Sequence, residues 1–483
     1  MVQIILGNVK AKVVGLKNVQ IIRELDYLLS YEVQGFQYMS AYKNWDGRHK
    51  LFDKRQTFPI GLLYLVEKTL KEHNEEYEIK DERGLLSYGD EYVLNTDSKY
   101  RPRDYQLDFL NKAQQHGSGV IKSPTGSGKT LMISMLVAKF NIKTVIYVIG
   151  IELLYQMKRT LEEAYPGMEV GLVGDGKCEI KNITVATIWS AASAFNEKVV
   201  LEDNETTPDK EENNKSLNKE AVRKMVNEAE MFILDEAHYS GASTVQMLSK
   251  HSSSAKHRFL FSGTPWRETG DDILIDAVGG PRIFDINASY LIDRNYLVPP
   301  KIYFIDVPQK KNVGSNYQEI YQNYVVDNQE RNELIVKSTL RLIEDKRKVL
   351  ILVTKVSHGK KLLSLLENNV RVFSLDGKNT SRARMDAIDE MQAGKLDVII
   401  ASKIFDQGID IPELSALILA GPQKSTGRTL QRIGRVIRGA PDKKDAIIVD
   451  FMDNCKYLKN HSAVRRKVYE TEPRFKIIGA KNK

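Results

Sequence analysis

From about residue 100 onward the chain alternates short apolar runs with stretches of helical period. Val120-Ile121, Thr144–Ile149, Ile183–Thr187, Met231–Leu234 and Arg258–Phe261 read as strands. They are continuous rather than alternating, as strands covered on both faces are. Leu107–Ala113, the set Leu131, Met132, Met135 and Leu136, and the segment around Leu153 and Leu154 read as helices between them. After a connector near Asp285–Pro300 the grammar repeats, with strands at Val349–Val353, Val370–Ser374, Val398–Ala401, Ala416–Ala420 and Ala446–Val449. Helical runs such as His358–Leu366 and Arg382–Met391 separate them. Strands alternating with helices predict an α/β protein with two tandem parallel-sheet domains. The front is different. Val2–Leu16 reads as strand-forming and Val19–Leu29 as an amphipathic helix, which predicts a small α+β N-terminal domain.

Breaks in the pattern set the expected boundaries: 1–98 for the front domain, 99–290 for the first parallel-sheet domain, 291–455 for the second and 456–483 for a basic tail. Within the first, residues 197–222 depart in composition. Glu202, Asp203, Glu205, Asp209, Glu211 and Glu212 alternate with Asn, Thr and Lys, the signature of a solvated acidic insertion.

Composition narrows the classes. The 483 residues are 42% apolar and 28% charged, enough apolar material for sizeable cores. No apolar run is long enough to span a bilayer, and the N-terminus shows no signal-peptide pattern. Two distant cysteines, Cys178 and Cys455, offer neither a disulfide nor a zinc framework. An intracellular, cytoplasmic protein is expected. The formal charge of +8 and pI near 9.0 favour a polyanionic partner, most simply nucleic acid. A generic basic surface fits the same charge.

The chemistry concentrates in Ser123-Pro124-Thr125-Gly126-Ser127-Gly128-Lys129-Thr130. An apolar strand precedes it and an apolar helix follows, the context of a phosphate loop. Glycines let backbone N–H groups close on an anion at a helix N-terminus. Lys129 would reach the β- and γ-phosphates of ATP, and the Thr130 hydroxyl would hold Mg²⁺. The strict pattern has Gly where this chain has Ser123. Upstream, Gln106 carries an amide able to pair with both a donor and an acceptor on adenine.

A buried strand delivers Asp235-Glu236-Ala237-His238 at the end where open α/β sheets bind ligands. Asp235 would hold Mg²⁺ through water, Glu236 would orient and deprotonate the attacking water, and His238 would sense the γ-phosphate side. Ser262-Gly263-Thr264, at the end of the next strand, could link that site to a partner-binding face. In the second domain, Gln431, Arg435 and Arg438 fall on one face of a helix. Two guanidiniums and an amide suit a phosphate whose charge grows during transfer; a basic surface helix is the alternative. Gly408 allows close backbone approach, and Asp410 can bond a ribose hydroxyl. In the front segment, Trp45 and Arg48 lie in a stretch mixing aromatics and bases, Tyr42–Lys50. Two readings stay open there: a nucleic-acid surface and an ordinary hairpin with Trp45 in the core.

Gln106, the Ser123–Thr130 loop, Gln156, Thr187, Asp235–His238, Ser262–Thr264, Ser402–Pro412 and Gln431–Arg438 occur in the order of the superfamily 2 helicase motifs, and the chain resembles that family over roughly residues 100–450. A closer resemblance, to the group of the phage recombination helicase UvsW and the repair helicase XPB, rests on three segments. These are Asn44-Trp45-Asp46-Gly47-Arg48, Asn316-Tyr317-Gln318-Glu319 and Lys355-Val356-Ser357-His358-Gly359-Lys360. The resemblance implies two RecA-like domains that hold ATP with Mg²⁺, with the arginines supplied by the second. It implies DNA contacts at Gln156, Thr187 and Ser402. It also implies an ATP-dependent DNA helicase or translocase acting as a monomer on junctions, forks, D-loops and R-loops, with RNA–DNA hybrids as further candidates. An RNA helicase and an ATP-gated nucleic-acid clamp without unwinding are the alternatives.

Overall fold

The computed structural model describes residues 1–33, 45–195, 218–265, 270–309, 314–402, 414–421, 426–440 and 443–479. The chain forms two compact units. The first holds Met1–Ser123 and Gly128–Asp285, and the second holds Ile286–Lys483 with the loop residues Pro124–Ser127.

The first unit begins with a small four-stranded sheet. Its strands are β1 (Val2–Leu6), β2 (Lys10–Val14), β5 (Thr57–Pro59) and β6 (Tyr77–Asp81), in the order β5-β2-β1-β6. The strand-forming stretch Val2–Leu16 is thus a hairpin that turns at Gly7 and pairs β1 with β2 antiparallel. Val2, Ile4, Leu6, Ala11 and Val13 face inward. They meet Ile21 and Leu25 of the helix Val19–Leu28, which Asn18 caps by accepting from Gln20 N–H. A separate pair, β3 (Ser30–Glu32) and β4 (Arg48–Lys50), is antiparallel.

Besides a bond from the Asn8 amide to Ser253 O at 3.0 Å, a strap and a docked turn fix the front module to the rest of its unit. Residues 84–98 run as a strap. In it the Tyr92 N–H donates to Ala138 O, the Asn95 N–H donates to Ala164 O, and the Tyr88 hydroxyl meets His257 Nε2 at 2.9 Å. The docked turn, Ile60–Leu62, packs against the helix Ile273–Gly279. There Tyr64 donates to the Asp276 carboxylate at 2.6 Å. Burial raises both groups above their usual pKa values, and the bond to Asp276 raises Tyr64 further. Gly61 makes the close approach feasible. A Cβ added there would lie 2.0 Å from Asp276 O and 2.8 Å from Ala277 O. Backbone cannot rotate away as a side chain can. Gly61→Ala is therefore expected to cost ~1–3 kcal/mol, the scale of overpacking, in urea denaturation. Wild-type stability of that variant would contradict the docked arrangement.

The remainder of the unit is an eight-stranded sheet. Its strands are β7 (Gly119–Lys122), β8 (Thr144–Val148), β9 (Val170–Gly174), β10 (Lys177–Glu179), β11 (Ile183–Thr187), β12 (Met231–Asp235), β13 (His257–Ser262) and β14 (Arg282–Asp285). The order is β10-β9-β11-β8-β12-β13-β7-β14, and every pair except β10–β9 is parallel. Residues of β8, β11, β12 and β13 are buried throughout, which is why they read as unbroken apolar runs. The expected insertion lies mostly outside the described residues, but its last part does not. Asn218 caps the helix Lys219–Glu228, and Val222 is fully buried, so Val222 belongs to the core.

The second unit has seven strands: β15 (Pro300–Val307), β16 (Lys348–Leu352), β17 (Val372–Leu375), β18 (Val398–Ala401), β19 (Leu414–Leu419), β20 (Ala446–Asp453) and β21 (Lys476–Ile478). All pairs are parallel, in the order β17-β18-β16-β19-β20-β15-β21. Beside the sheet, Arg331 and Asp453, both fully buried, pair at 3.0 Å, and Arg331 also donates to Ala420 O. The stretch expected to be a basic tail is part of this unit. Lys456–Glu470 is a helix whose Arg465 forms a buried pair with Asp450, and β21 extends the sheet beside β15. Among the described residues no helix is long and apolar enough to cross a membrane. The architecture is that of two RecA-like domains behind a small α/β module.

Candidate active site

The phosphate loop follows β7 at the C-terminal edge of the eight-stranded sheet. Gly126 and Gly128 adopt φ of 87° and 77°, backbone that a side chain would strain. The helix Lys129–Phe140 starts directly after Gly128. Ser123 is not among the positive-φ residues. It continues the strand, donating its N–H to Ser262 O at 2.9 Å, so this position needs no glycine. Lys129 Nζ reaches back to Ser123 O at 3.3 Å, across the mouth of the loop. Thr130 occupies the first turn of the helix and is half-buried.

Asp235 ends β12, two strands from β7, and is 8% exposed. Burial pushes its carboxyl up to about 7, and the neighbouring Glu236 charge adds to the rise; the Lys129 ammonium pulls in the opposite direction. A buried carboxylate whose charged form is disfavoured by burial suits a divalent cation. Mg²⁺ needs only one or two protein oxygens when it also binds substrate phosphates, and Asp235 and the Thr130 hydroxyl are the groups that could hold it.

Glu236 has φ 67° and ψ 66°. A non-glycine residue in this region carries strain of roughly 1–3 kcal/mol, and such strain clusters at functional sites. The turn aims the Glu236 carboxylate alongside Asp235 and places it 3.4 Å from His238 Nδ1. His238 Nδ1 also lies 3.5 Å from Ser262 Oγ, and Ser262 Oγ accepts from the Thr264 N–H at 3.1 Å. The acidic tetrad and the hydroxyl segment are thus in short contact. The turn Ala237–Gly241 and the helix Ile273–Gly279 also pack together. That helix is the one carrying Asp276, so the front module and the acidic tetrad share a neighbour. Nothing in the sequence marked Tyr64 or Asp276; only the Gly61 approach, visible in three dimensions, picks them out.

The other expected site residues divide by location. Gln106 is buried; its amide oxygen accepts from the Arg103 N–H at 2.9 Å, and its amide nitrogen abuts Gly128. It therefore buttresses the loop. Gln156 is exposed on the helix Ile151–Ala164. Thr187 is buried and caps the helix Ile188–Ser193, accepting from the Ser190 N–H at 3.2 Å. Ser402 follows β18 and is 9% exposed. Trp45 is half-buried and donates to Arg48 O at 3.1 Å. The Arg48 guanidinium donates to Ser30 Oγ and Ser30 O at 2.8 and 3.0 Å and lies 4.4 Å from the Tyr27 ring centroid. The hairpin thus engages both residues in its own stability. Gly408 and Asp410 lie outside the described residues, as do residues 266–269, which follow the Ser262–Thr264 segment.

In the second unit the expected arginine face is only partly helical. The helix Thr426–Val436 carries Gln431 and Arg435, both half-buried. Arg438 lies beyond its end, in an antiparallel bridge with Leu297 that the Val298 N–H to Ile437 O bond extends. Its backbone is therefore positioned by the bridge and not by helical period. Arg432, off the face that Gln431 and Arg435 share, is 6% exposed.

Two family models match the chain: the type III restriction enzyme res subunit over residues 99–267 and the helicase conserved C-terminal domain over residues 331–440. A putative helicase of Sulfolobus islandicus filamentous virus is 26% identical over 399 residues, covering 77% of this chain and 68% of that protein. The ATP-dependent DNA helicase UvsW of Enterobacteria phage T4 is 24% identical over 479 residues, covering 92% of this chain and 89% of that protein. The DNA 3'-5' translocase XPB2 of Sulfurisphaera tokodaii is 23% identical, covering 73% of this chain and 82% of its own. Against putative DNA 3'-5' helicases of two haloarchaea, Haloarcula marismortui and Halobacterium salinarum, the chain spans 57% and 56% of their length. Among solved structures, the ATP-dependent Type ISP restriction-modification enzyme LlaBIII bound to DNA superposes with a TM-score of 0.57 at 16% identity, covering 80% of this chain and 32% of that one. That likeness concerns the fold. With the phosphate loop, the acidic tetrad and both models in register, the chain belongs to the superfamily 2 helicases, among which it resembles UvsW and the XPB group.

Proposed function

We propose that this protein is an ATP-dependent DNA helicase or translocase that unwinds or branch-migrates branched DNA. The observation that carries the reading is the cluster of Lys129, buried Asp235 and strained Glu236 at one sheet edge. A binding module would have no use for that geometry. Lys129 and the loop N–H groups bind the triphosphate, and Glu236 orients and deprotonates the water. Asp235 and Thr130 hold Mg²⁺, which supplies charge neutralisation at the phosphate oxygens. Arg435 and Arg438 offer guanidiniums to the developing phosphate charge, with Gln431 beside them. Asp410, Gly408 and Gln106 are assigned to the nucleoside end.

The names of UvsW and XPB2 point to DNA rather than RNA, and the basic charge suits a phosphate track. Gln156, Thr187 and Ser402 are assigned to that track, and Trp45 and Arg48 to branch recognition. A motor that moves along DNA must accept any sequence, so recognition is of backbone and shape. The test is a strand-displacement panel with ATP: labelled Holliday junction, fork, bubble, RNA–DNA hybrid and duplex RNA. Branched DNA should be processed fastest. Preferential opening of duplex RNA would establish the RNA-helicase alternative, and ATP hydrolysis without displacement or translocation on any substrate would establish the clamp.

A further inference from the structure

The second unit carries an aromatic and basic surface to which none of the roles above is assigned. The short helix Tyr317–Tyr321 follows β15, and the helix Lys456–Glu470 follows the adjacent strand β20. Their first turns bring Tyr317 and Tyr457 together, with ring centroids 6.2 Å apart at 68°. Tyr317 also meets His461 at 5.7 Å and Tyr321 at 6.0 Å. The two leading rings stay open, Tyr317 being 40% and Tyr457 43% exposed. Large aromatics packed only for the core bury more than this.

The surroundings are cationic. Lys456 Nζ lies 5.1 Å from the Tyr457 ring centroid and Lys355 Nζ 5.4 Å from that of Tyr321. Lys456 and Lys459 are exposed, and the first turn of their helix contains no acid. The nearby Glu319 carboxylate is engaged by the N–H and hydroxyl of Ser315, which keeps it ionised below the usual range. Edge-to-face tyrosines with lysines around them present π-faces to flat groups and positive charge to phosphates.

We propose that Tyr457 and Tyr317 form a stacking platform for the bases of single-stranded DNA, with Lys456 and Lys459 on its phosphates. The proposal rests on the DNA-motor reading and adds a strand-holding surface to it. Only an unpaired strand can lay bases against such rings, because bases in duplex are already stacked. Stacking also carries no sequence preference, as a translocase requires.

The probe is a fluorescent oligo-dT, with affinity followed by anisotropy for Tyr457→Ala, Tyr457→Leu and Tyr457→Phe. The platform predicts roughly 5- to 100-fold weaker binding for Ala and Leu, the range of one stacked base, with Phe within about twofold of wild type. ATP hydrolysis without DNA should be unchanged in all three, and so should their melting temperatures, since the ring is surface-lying. Wild-type affinity in the Ala variant would overturn the platform. So would equal losses in Phe and Ala, which would mean the hydroxyl rather than the ring is used. Wild-type protein that neither binds oligo-dT nor hydrolyses ATP faster with DNA would instead overturn the DNA-motor reading, and the platform with it.

Discussion

Glu236→Gln is expected to lower ATP turnover by ~10²–10⁴-fold, the contribution of a positioned general base, while ATP binding survives. The amide keeps the size and the contact to His238, 3.4 Å away in the parent, but it cannot take a proton from water. Lys129, Asp235 and the loop glycines, to which nucleotide binding is assigned, are untouched. The backbone adds a second readout. Glu236 sits at φ 67°, a region that glycine enters at little cost. Glu236→Gly should therefore be no less stable than wild type and yet be as inactive as Glu236→Gln. A residue kept for stability would show the opposite order. Single-turnover hydrolysis with thermal melting separates the cases, and near-normal turnover in Glu236→Gln would remove its assigned role.

Arg435→Ala and Arg438→Ala are expected to reduce turnover by ~10³–10⁵-fold, the range for a guanidinium that stabilises a transferring phosphoryl group. Neither should unfold the protein. Arg435 is half-buried on the helix Thr426–Val436. Arg438 is held through its backbone by the bridge to Leu297, which alanine preserves. Arg432 is the internal control. At 6% exposure its loss should lower stability by about 3–5 kcal/mol, as removing a buried charged group with partners does. Three arginines within seven residues are thus sorted by burial into two catalytic candidates and one structural member. Unchanged turnover in the Arg435 and Arg438 variants would leave the second unit without its assigned chemical part. Arg438→Lys should recover little, because an ammonium cannot reproduce the planar fork.

Much of this was legible before any coordinates. Parallel strands buried on both faces leave continuous apolar runs, so β8, β11, β12 and β13 stood out, and with them the sites at their C-terminal ends. The phosphate loop was readable because its glycines answer a backbone demand, and the structure puts φ above zero at Gly126 and Gly128. Other features carry no such local mark. β15 begins at Pro300, where the expected connector ends, and alternates exposed with buried residues, so it shows no continuous apolar run. β21 is only three residues long, and the charges of the preceding helix suggested a tail although Arg465 is buried against Asp450. Arg258 read as the polar start of a strand, yet it is buried. It donates to Ser249 Oγ and to the Ser249 and Ser252 carbonyls, and burial lowers its pKa to about 10. Helical spacing extended one turn too far at Arg438, because a β-bridge rather than a helix fixes that residue. The docking of the front module depends on a contact between Tyr64 and Asp276, 212 residues apart, and no window along the chain contains both.

The most direct test is the initial rate of ATP hydrolysis by the purified full chain, measured with and without a forked DNA. A large rise is expected on adding the fork, and Lys129→Ala should abolish it. Equal rates with and without DNA, or hydrolysis that persists in Lys129→Ala, would contradict the DNA-motor reading.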